Sequence, residues 1–550
     1  MRYLSACALV LALLAPAVSS AQQGGDAASL LALHRSYVGW QFGDGTFSTL
    51  RIAGRVRPAQ GDAADASRSW TTLETGAVFR TTGFDPESGG WSDYGYTGRI
   101  FWESDRNGFT HPDYSARQAF EISQTALFAE GTTEVSSALQ SPSQIDGTSY
   151  AVVRVQPPHG DTIDVYVDPS SGAYRRAVID PGGAYQTTYD ILGYTTVLPG
   201  KRMIQTYRIN GSSNVDEFAR IDANAPITPE ELHPPAPTAT WTFTNAQPFH
   251  VTMGATAILV DATINGVIGH FVVDSGASDI LLTDDFANSA HLPITGAGAG
   301  TASSFGPQLR MHTRRVDTFT IGGNTLHNVQ VETGGNNIIA NATNYQEAQG
   351  TQIINGYIGF PLFAAAIVTL NLSDKTMSIA DPSGTSVDRS TGYVAAPDLS
   401  QDIPVVPVLI DNRVTVNANL DMGNGGFVVL SQPLVDEHHI PILANEGTLS
   451  NAGMPNIGIN SNMSPDSGNQ MEDYMQSHVV AEGVGGTREV QRCSNVASIA
   501  LGPIVYQSSY ACVSPSLTGD FVIMGYSFLK NFDYVFDYPE GVMILKPHAQ

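Results

Sequence analysis

The sequence predicts a mainly β protein built from more than one domain. Its 550 residues exceed the length of an ordinary single domain. Residues 22–224 alternate short strand-like runs with turns and show little helical period. Residues 257–550 contain one series of landmarks twice, which predicts two similar β lobes. The 42% hydrophobic content is that of a globular protein, so extended disorder is not expected.

Residues 1–21 have the pattern of a secretory signal peptide. Arg2 gives a positive start, residues 4–18 are apolar, and Ser19-Ser20-Ala21 ends the segment in small residues. We therefore expect cleavage after Ala21 and export to a periplasmic or extracellular location. No later segment has 18 apolar residues in a row, so no stable membrane span is expected.

Residues 22–224 are predicted to form a β-rich accessory domain. Strand-like runs lie at residues 150–155, 164–167 and 203–209, with a turn at 168–172 and a short helix at 30–38. This strand–turn pattern resembles the open half-barrels of bacterial lipoprotein-carrier proteins. The Pro-rich residues 225–240 then suit neither a helix nor a central strand, which predicts a linker or an extended strap.

The two copies of the repeat begin with residues 257–295 and 407–443. Each copy has an apolar strand, a turn, a second strand and then Asp-x-Gly, at Asp274 and Asp421. Each then reaches a His-apolar-Pro sequence and ends on an apolar residue followed by Gly, at Gly359 and Gly525. Landmarks that recur in the same order predict two β lobes, at residues 241–385 and 400–550.

The first Asp-x-Gly loop carries a family resemblance. The run Phe271-Val272-Val273-Asp274-Ser275-Gly276-Ala277-Ser278, with its second copy and the ending at residues 522–537, resembles the retropepsin and pepsin clan of aspartic proteases. The resemblance covers about residues 250–548. It implies that the two aspartates face each other, share one proton and activate a water molecule. It also implies that Ser275, Gly276, Ala277, Met422 and Gly423 support the loops that carry the two aspartates. Gly359 and Gly525 would each lie in a further loop of their own lobe.

The Asp-x-Gly loop at Asp421 departs from the pattern of that clan. Met422 stands where a Ser or Thr is expected and offers no hydroxyl to bond the two loops together. Three interpretations of the two aspartates therefore stay open. Asp274 and Asp421 form an intramolecular pair in a monomer, which we favour. Alternatively, Asp274 pairs across a homodimer, or the lobes are a degenerate binding or scaffold protein.

The resemblance also implies an extended peptide or protein substrate between the lobes. A flap is expected in residues 295–307, where Phe305 is the candidate to cover the substrate. Residues 445–482 form either a lid or a surface insertion. Residues 22–224 precede the cleft-forming lobes, and we expect them to regulate access or present substrate.

Cys493 and Cys512 are the two cysteines beyond the signal segment. In an oxidising compartment, such a pair favours one disulfide over two free buried thiols. That disulfide would brace the second lobe without a catalytic role.

The acidic composition excludes some partner classes. The chain has 52 Asp and Glu against 27 Lys and Arg, a net charge of −25, and no basic run to bind nucleic acid or an anionic membrane. His438 and His439 lack a zinc-ligand spacing, and no phosphate-loop or dinucleotide fingerprint occurs. We therefore predict no cofactor and no metal.

Overall fold

The protein is mainly β, as the sequence predicts. A computed structural model describes residues 26–548 except 42, 59–68, 77, 86–89, 114–116, 129–135, 184–185, 299–310, 336–337, 339–345, 348–349, 352, 400, 442–477, 483–487, 518 and 520. The predicted signal peptide, the flap residue Phe305 and most of the proposed lid lie outside the described residues. Within them, no helix combines the length and apolar character needed to cross a membrane.

The N-terminal part of the chain forms one antiparallel sheet with two helices. The helices are α1 (Ala27–Val38) and α2 (Arg117–Phe128). The 14 strands are β1 (Leu50–Arg57), β2 (Ser69–Thr75), β3 (Val78–Asp85), β4 (Gly90–Tyr96), β5 (Phe101–Ser104), β6 (Thr110–Pro112), β7 (Ser136–Leu139), β8 (Ser143–Ile145), β9 (Thr148–Gln156), β10 (Ile163–Val167), β11 (Tyr174–Ile179), β12 (Thr187–Leu198), β13 (Lys201–Ile209) and β14 (Val215–Ala223). In space the order runs from β6 down to β1, continues from β14 down to β9 and ends on β7, while β8 pairs with β9.

Both helices cover one face of this sheet. Alternate residues of the strands point inward, as in β10, where Ile163, Val165 and Val167 are buried together with apolar residues of α1 and α2. Helix α1 begins three residues before its predicted start because the Asp26 side chain accepts a hydrogen bond from the Ser29 N–H. Helix α2 was not predicted.

The Pro-rich segment lies along the N-terminal sheet. It contains a one-turn helix, α3 (Pro229–Leu232), which starts with a capping box of Thr228 and Glu231. Arg51 Nη2 lies 2.7 Å from Glu231 Oε1, and the Thr238 and Ala239 N–H groups both donate to the Gly108 carbonyl. The segment therefore follows the sheet as a strap.

The rest of the chain contains the sequence repeat. The strands of its first half are β15 (Thr240–Thr242), β16 (Phe249–His250), β17 (Thr252–Met253), β18 (Ile258–Ile264), β19 (Val267–Val273), β20 (Ile280–Thr283), β21 (Ile294–Gly298), β22 (Met311–Ile321), β23 (Asn324–Gly334), β24 (Gln346–Glu347), β25 (Gly350–Thr351), β26 (Gly356–Ile358), β27 (Ile367–Asn371) and β28 (Thr376–Ala380). Those of its second half are β29 (Tyr393–Ala395), β30 (Val405–Ile410), β31 (Val414–Asp421), β32 (Val428–Ser431), β33 (His478–Glu482), β34 (Arg488–Leu501), β35 (Ile504–Ser514), β36 (Phe521–Gly525), β37 (Phe532–Asp537) and β38 (Val542–Pro547). The helices are α4 (Asp284–Ser289), α5 (Gln432–His438) and α6 (Tyr526–Leu529), and short 3-10 turns span Phe360–Leu362, Arg389–Thr391 and Tyr538–Glu540.

The two halves use the same strand pairings. In the first half, β19 is antiparallel to β18 and parallel to β26, which is antiparallel to β20. In the second half, β31 has the same relation to β30 and β36, and β36 to β32. The pairings β18–β22–β23–β20 and β30–β34–β35–β32 close each set into a ring. The sequence repeat is thus a repeat of strand topology.

A six-stranded sheet joins the two halves. Its order is β16-β28-β27-β37-β38-β29, so the central pair takes one strand from each half. In that pair Val368 lies opposite Phe536, and both side chains belong to the continuous apolar core beneath the two halves. This shared core fixes the relative position of the loops that follow β19 and β31.

Candidate active site

Asp274 and Asp421 lie at the ends of two equivalent buried strands. Asp274 follows β19, and its N–H donates to the Ile358 carbonyl on the parallel neighbour β26 at 2.9 Å. Asp421 ends β31 and is in register with Gly525 on the parallel neighbour β36. Each aspartate is therefore held where two parallel strands end, and the two strand ends meet.

The structure brings the two carboxyl groups together. The Gly423 N–H lies 3.0 Å from Asp274 Oδ1 and 3.0 Å from Asp421 Oδ1, so the two carboxyls share one donor. Gly276 N–H donates to Asp274 Oδ1 at 2.8 Å. A Cβ at Gly276 would lie 2.3 Å from Asp421 Cγ, and one at Gly423 would lie 2.1 Å from Asp274 Oδ2. Only glycine at these positions lets the loop backbones approach the opposite carboxyl so closely.

Burial and mutual proximity change how these carboxyls titrate. Burial raises the pKa of Asp274 well above its ordinary value, and the negative charge of Asp421 adds to that rise. Burial also raises the pKa of Asp421, while N–H donors from Asn424 and Gly423 and the hydrogen bond with Asp274 oppose the rise. The pair therefore holds a proton to higher pH than separate carboxyls would, and it titrates as a unit.

Ser275 connects the two loops. Its Oγ donates to the Leu420 carbonyl at 2.6 Å and accepts from the Met422 N–H at 3.1 Å. The serine is buried, as is the Met422 side chain, which packs in the apolar core. Because Ser275 bonds to the main chain of the second loop, this connection does not depend on the side chain at position 422.

A family comparison covers this region. Residues 260–360 match the family described as aspartyl protease. They are an aspartyl-protease-like domain. This domain contains most of β18, all of β19 to β26 and residues 274–279, which we call the Asp274 loop. Asp421 lies beyond the matched residues.

Three solved structures share partial likeness with the chain. A retropepsin-like aspartic protease from Rickettsia conorii has 17% identity over 26% of this chain and 94% of its own, with a TM-score of 0.18. A DUF1329 family protein from Desulfovibrio piger has 9% identity over 38% of this chain and 95% of its own, with a TM-score of 0.27. A putative outer membrane lipoprotein-sorting protein domain from Vibrio parahaemolyticus has 11% identity over 38% of this chain and 97% of its own, with a TM-score of 0.26. Among curated proteins, none matches the chain.

Gly359 and Gly525 lie against the backbones of the loops that carry Asp274 and Asp421. In the aspartyl-protease-like domain, a Cβ at Gly359 would lie 2.1 Å from the Ala277 carbonyl oxygen. At the equivalent position, a Cβ at Gly525 would lie 2.4 Å from the Gly426 carbonyl oxygen. Both predicted glycines thus lie directly against an aspartate loop.

The predicted cysteines and the repeated histidines lie on other elements than the two aspartates. A disulfide joins Cys493 of β34 to Cys512 of β35, which confirms the favoured pairing. The repeated histidines His291 and His439 have left-handed φ values of 55° and 48° and lie two residues after α4 and one residue after α5. Each repeated histidine therefore marks a helix end, which explains its recurrence without a ligand. No group of three or more His, Cys, Asp or Glu side chains in the described part of the chain is placed to hold a metal ion.

The sequence analysis missed residues that contact the Asp274 loop of the aspartyl-protease-like domain. Arg106 and Asn107, between β5 and β6 of the N-terminal sheet, contact Asp279 of that loop. Asp279 could have been noticed because a charged residue there interrupts the apolar landmarks that follow the Asp-x-Gly sequence. Nothing local marks Arg106 and Asn107, whose sequence is that of an ordinary turn.

Proposed function

We propose that the protein is an aspartic endopeptidase in which Asp274 and Asp421 activate a water molecule for hydrolysis of a peptide bond. The observation that carries this proposal is the shared Gly423 amide, which lies 3.0 Å from an oxygen of each carboxyl. Two carboxyls this close cannot both be ionised at low cost, so the pair holds one proton. A pair in that state can act as base and acid in the same step.

The reaction follows from that shared proton. The ionised carboxylate takes a proton from water as the water oxygen forms a bond to the peptide carbonyl carbon. The protonated carboxyl donates to the oxygen that gains negative charge, which gives a neutral tetrahedral species. Cleavage of the C–N bond then needs a proton on the leaving nitrogen, and the pair can return one. Asp274 and Asp421 are coupled, so neither is assigned as the fixed base.

One chain supplies both carboxyls in this proposal. The active species would be a monomer whose two lobes, residues 241–385 and 400–550, each contribute one aspartate. The contact of Ser275 with the Leu420 and Met422 main chain supports this arrangement, since it needs no hydroxyl from Met422. The disulfide supports an exported location, because such bonds persist in oxidising compartments.

The proposal is tested by cleavage of an unfolded protein substrate between about pH 3 and pH 8, the range in which carboxyl pairs titrate. We expect cleavage by the wild type, and loss of cleavage in both Asp274→Asn and Asp421→Asn. Activity should fall on the alkaline side, because the raised pKa of Asp274 is then passed and the shared proton is lost. Asp317→Asn, at an exposed position of the first half, is the matched control.

Three results would contradict the proposal in different ways. No cleavage by the wild type at any pH would exclude a peptidase. Loss of activity in Asp274→Asn alone would indicate that Asp274 pairs across a homodimer. A pH optimum above about 8 would be inconsistent with a carboxyl pair that needs its shared proton.

A further inference from the structure

The turn between β5 and β6 reaches from the N-terminal sheet to the back of the Asp274 loop. We call residues 105–109 the hairpin tip. Phe109 of the tip is buried in the same core as the residues of β18 and β19. The tip is therefore part of the apolar core that the two halves of the repeat share.

Arg106 of the hairpin tip binds three groups on that half. Its Nε lies 3.0 Å from Asp279 Oδ2, and its Nη1 lies 3.1 Å from Glu332 Oε1. Its Nη2 donates to Ser278 Oγ at 3.1 Å. Ser278 and Asp279 belong to the loop that begins with Asp274, so the guanidinium holds the far side of that loop.

Asn107 completes the contact. Its Nδ2 donates to Asp279 Oδ1 at 2.7 Å and to the Gln330 carbonyl at 2.9 Å. Gln330 N–H donates back to the Asn107 carbonyl at 3.2 Å. Asn107 is 1% exposed and Asp279 is 6% exposed, so these bonds lie in the interior, where an unpaired partner would be costly.

Asp279 also takes part in the internal bonding of the Asp274 loop. Its Oδ1 accepts from the Ile280 N–H at 2.7 Å, and its carbonyl accepts from the Gly359 N–H at 3.1 Å. The neighbouring Ala277 carbonyl accepts from the Phe360 N–H at 2.9 Å. A shift of Asp279 would therefore be transmitted to the backbone that places Gly276 and the Asp274 carboxyl.

The second half of the repeat provides an internal comparison. There Gly525 N–H donates to the Phe427 carbonyl at 2.8 Å, which is the bond that Gly359 makes to Asp279 in the first half. The Phe427 ring packs edge-on against Phe528, with ring centroids 5.3 Å apart. The second loop thus has an apolar support from its own half. The first loop has a buried carboxylate at this position, and the Ile280 N–H alone does not satisfy it, so Arg106 and Asn107 supply further donors.

We propose that Arg106 and Asn107 are positioning residues for the Asp274 carboxyl, so that the N-terminal sheet is an integral part of the active-site scaffold. This inference rests on the proposed peptidase function. It differs from a role in access or substrate presentation, because loss of the contact should lower the rate of the chemical step.

The test compares full-length Arg106→Gln, Arg106→Lys and Asn107→Ala with the wild type on the protein substrate that the wild type cleaves. We expect kcat to fall about ten- to a hundredfold in Arg106→Gln and Asn107→Ala, since small displacements of a reacting group cost that much. KM should change little, because a positioning role acts on the Asp274 carboxyl and not on contacts with the substrate. Arg106→Lys should recover part of kcat, since an ammonium can bind Asp279 but cannot make all three contacts.

The matched control is Arg154→Gln, which removes a bidentate ion pair with Asp164 elsewhere in the N-terminal sheet. Any loss of stability there should leave kcat unchanged. Wild-type kcat in a folded Arg106→Gln or Asn107→Ala protein would overturn the proposal, as would an equal kcat loss in Arg154→Gln. If Arg106→Gln does not fold, Arg106→Lys and Asn107→Ala decide by the same criteria.

Hydrogen exchange separates this inference from the peptidase proposal. We expect faster amide exchange in residues 274–280 of Arg106→Gln, with unchanged exchange in the equivalent residues 421–427. If the wild type cleaves nothing, the proposed function fails, and unchanged exchange at residues 274–280 would then also overturn the positioning role.

Discussion

Ser275 shows how one hydroxyl can connect two halves of a molecule. It donates to the Leu420 carbonyl and accepts from the Met422 N–H, so it both satisfies and orients the main chain beside Asp421. Met422 lacks a hydroxyl that could return the interaction, and its side chain contributes to the core instead. The alignment of the two loops therefore depends on Ser275 more than in an arrangement with a hydroxyl on each side.

We expect Ser275→Ala to weaken both folding and cleavage. The change leaves the Leu420 carbonyl and the Met422 N–H buried without this partner, which costs about 1–3 kcal/mol for each unsatisfied group. The value of kcat should fall about tenfold or more as the carboxyls lose their alignment. Thermal unfolding and cleavage rates measure the two effects.

Ser289→Ala is the control for that change. Ser289 Oγ donates to the Phe286 carbonyl on the exposed side of α4, away from both aspartate loops. Wild-type rates in Ser289→Ala are expected. Wild-type rates in Ser275→Ala as well would show that the contact between the loops has no part in catalysis.

At the scale of elements, the strand ends carry the loops with Asp274 and Asp421, and glycines give these loops the space that they need. Gly359 follows β26 with a φ of −104°, so its requirement is one of space and not of backbone conformation. A Cβ there would meet the main chain of the Asp274 loop at Ala277 and Asp279. Main chain cannot move aside as a flexible side chain can.

Gly359→Ala is therefore expected to displace the Asp274 loop. Overpacking of this kind costs about 1–3 kcal/mol, and the displaced carboxyl should lower kcat strongly. Gly384→Ala is the matched control, because its Cβ would meet nothing within 4 Å. Unfolding midpoints and kcat of the two variants give the comparison. Equal behaviour of both would contradict the proposed fit.

The disulfide belongs to another element pair. Cys493 and Cys512 lie opposite each other on β34 and β35, and they are 19 residues apart in sequence. Closing a loop of that length stabilises the folded state by about 3 kcal/mol in the chain-entropy treatment. We expect Cys493→Ser/Cys512→Ser to lower the unfolding midpoint and to leave kcat unchanged. A loss of kcat at temperatures where the variant stays folded would contradict this separation of roles.

At the scale of the whole molecule, several buried groups bind protons more tightly in the folded state. Burial raises the pKa of Glu74 to about 8 and that of Asp279 to about 7, although the charge of Arg106 opposes the second shift. Burial lowers the pKa of His111, but the hydrogen bond and charge of Asp105 outweigh it and raise that pKa to about 9. All three groups favour the folded state more at acid pH than at alkaline pH.

We expect the free energy of unfolding to fall as the pH rises from about 5 to 9. For Glu74, whose ordinary pKa is 4.5, the stabilisation is fully present below pH 4.5 and is lost as the pH rises through about 8. Glu74→Gln removes this ionisation. The fall in the free energy of unfolding between pH 5 and 9 should then be smaller by a few kcal/mol, which is what a pKa shift of this size implies. Denaturant unfolding at several pH values measures the effect.

Glu437→Gln, at an exposed position, serves as the control and should leave the pH dependence as it is in the wild type. A stability that rises between pH 5 and 9 in the wild type would contradict the assignment of these groups.

Much of the fold and part of the site follow from local sequence. The strands at β9, β10 and β13 lie where short apolar runs flanked by turn residues predict them, because that pattern is encoded by neighbouring residues. The repeat identifies the two Asp-x-Gly loops for the same reason. Helix α2 was missed although its apolar residues recur at helical spacing. It is short, lies among strand-like runs, and packs Ala126, Leu127 and Phe128 onto the sheet, so tertiary packing supports it.

The sequence by itself therefore determined the mainly β class, the repeated strand order and the two aspartates. Only the tertiary structure decided which groups meet. Ser275 contacts the main chain beside residue 421, and Arg106 reaches Asp279 from a different sheet. Both contacts join residues more than 140 positions apart. No local pattern encodes such pairs, because they depend on the shared core that fixes the positions of the sheets.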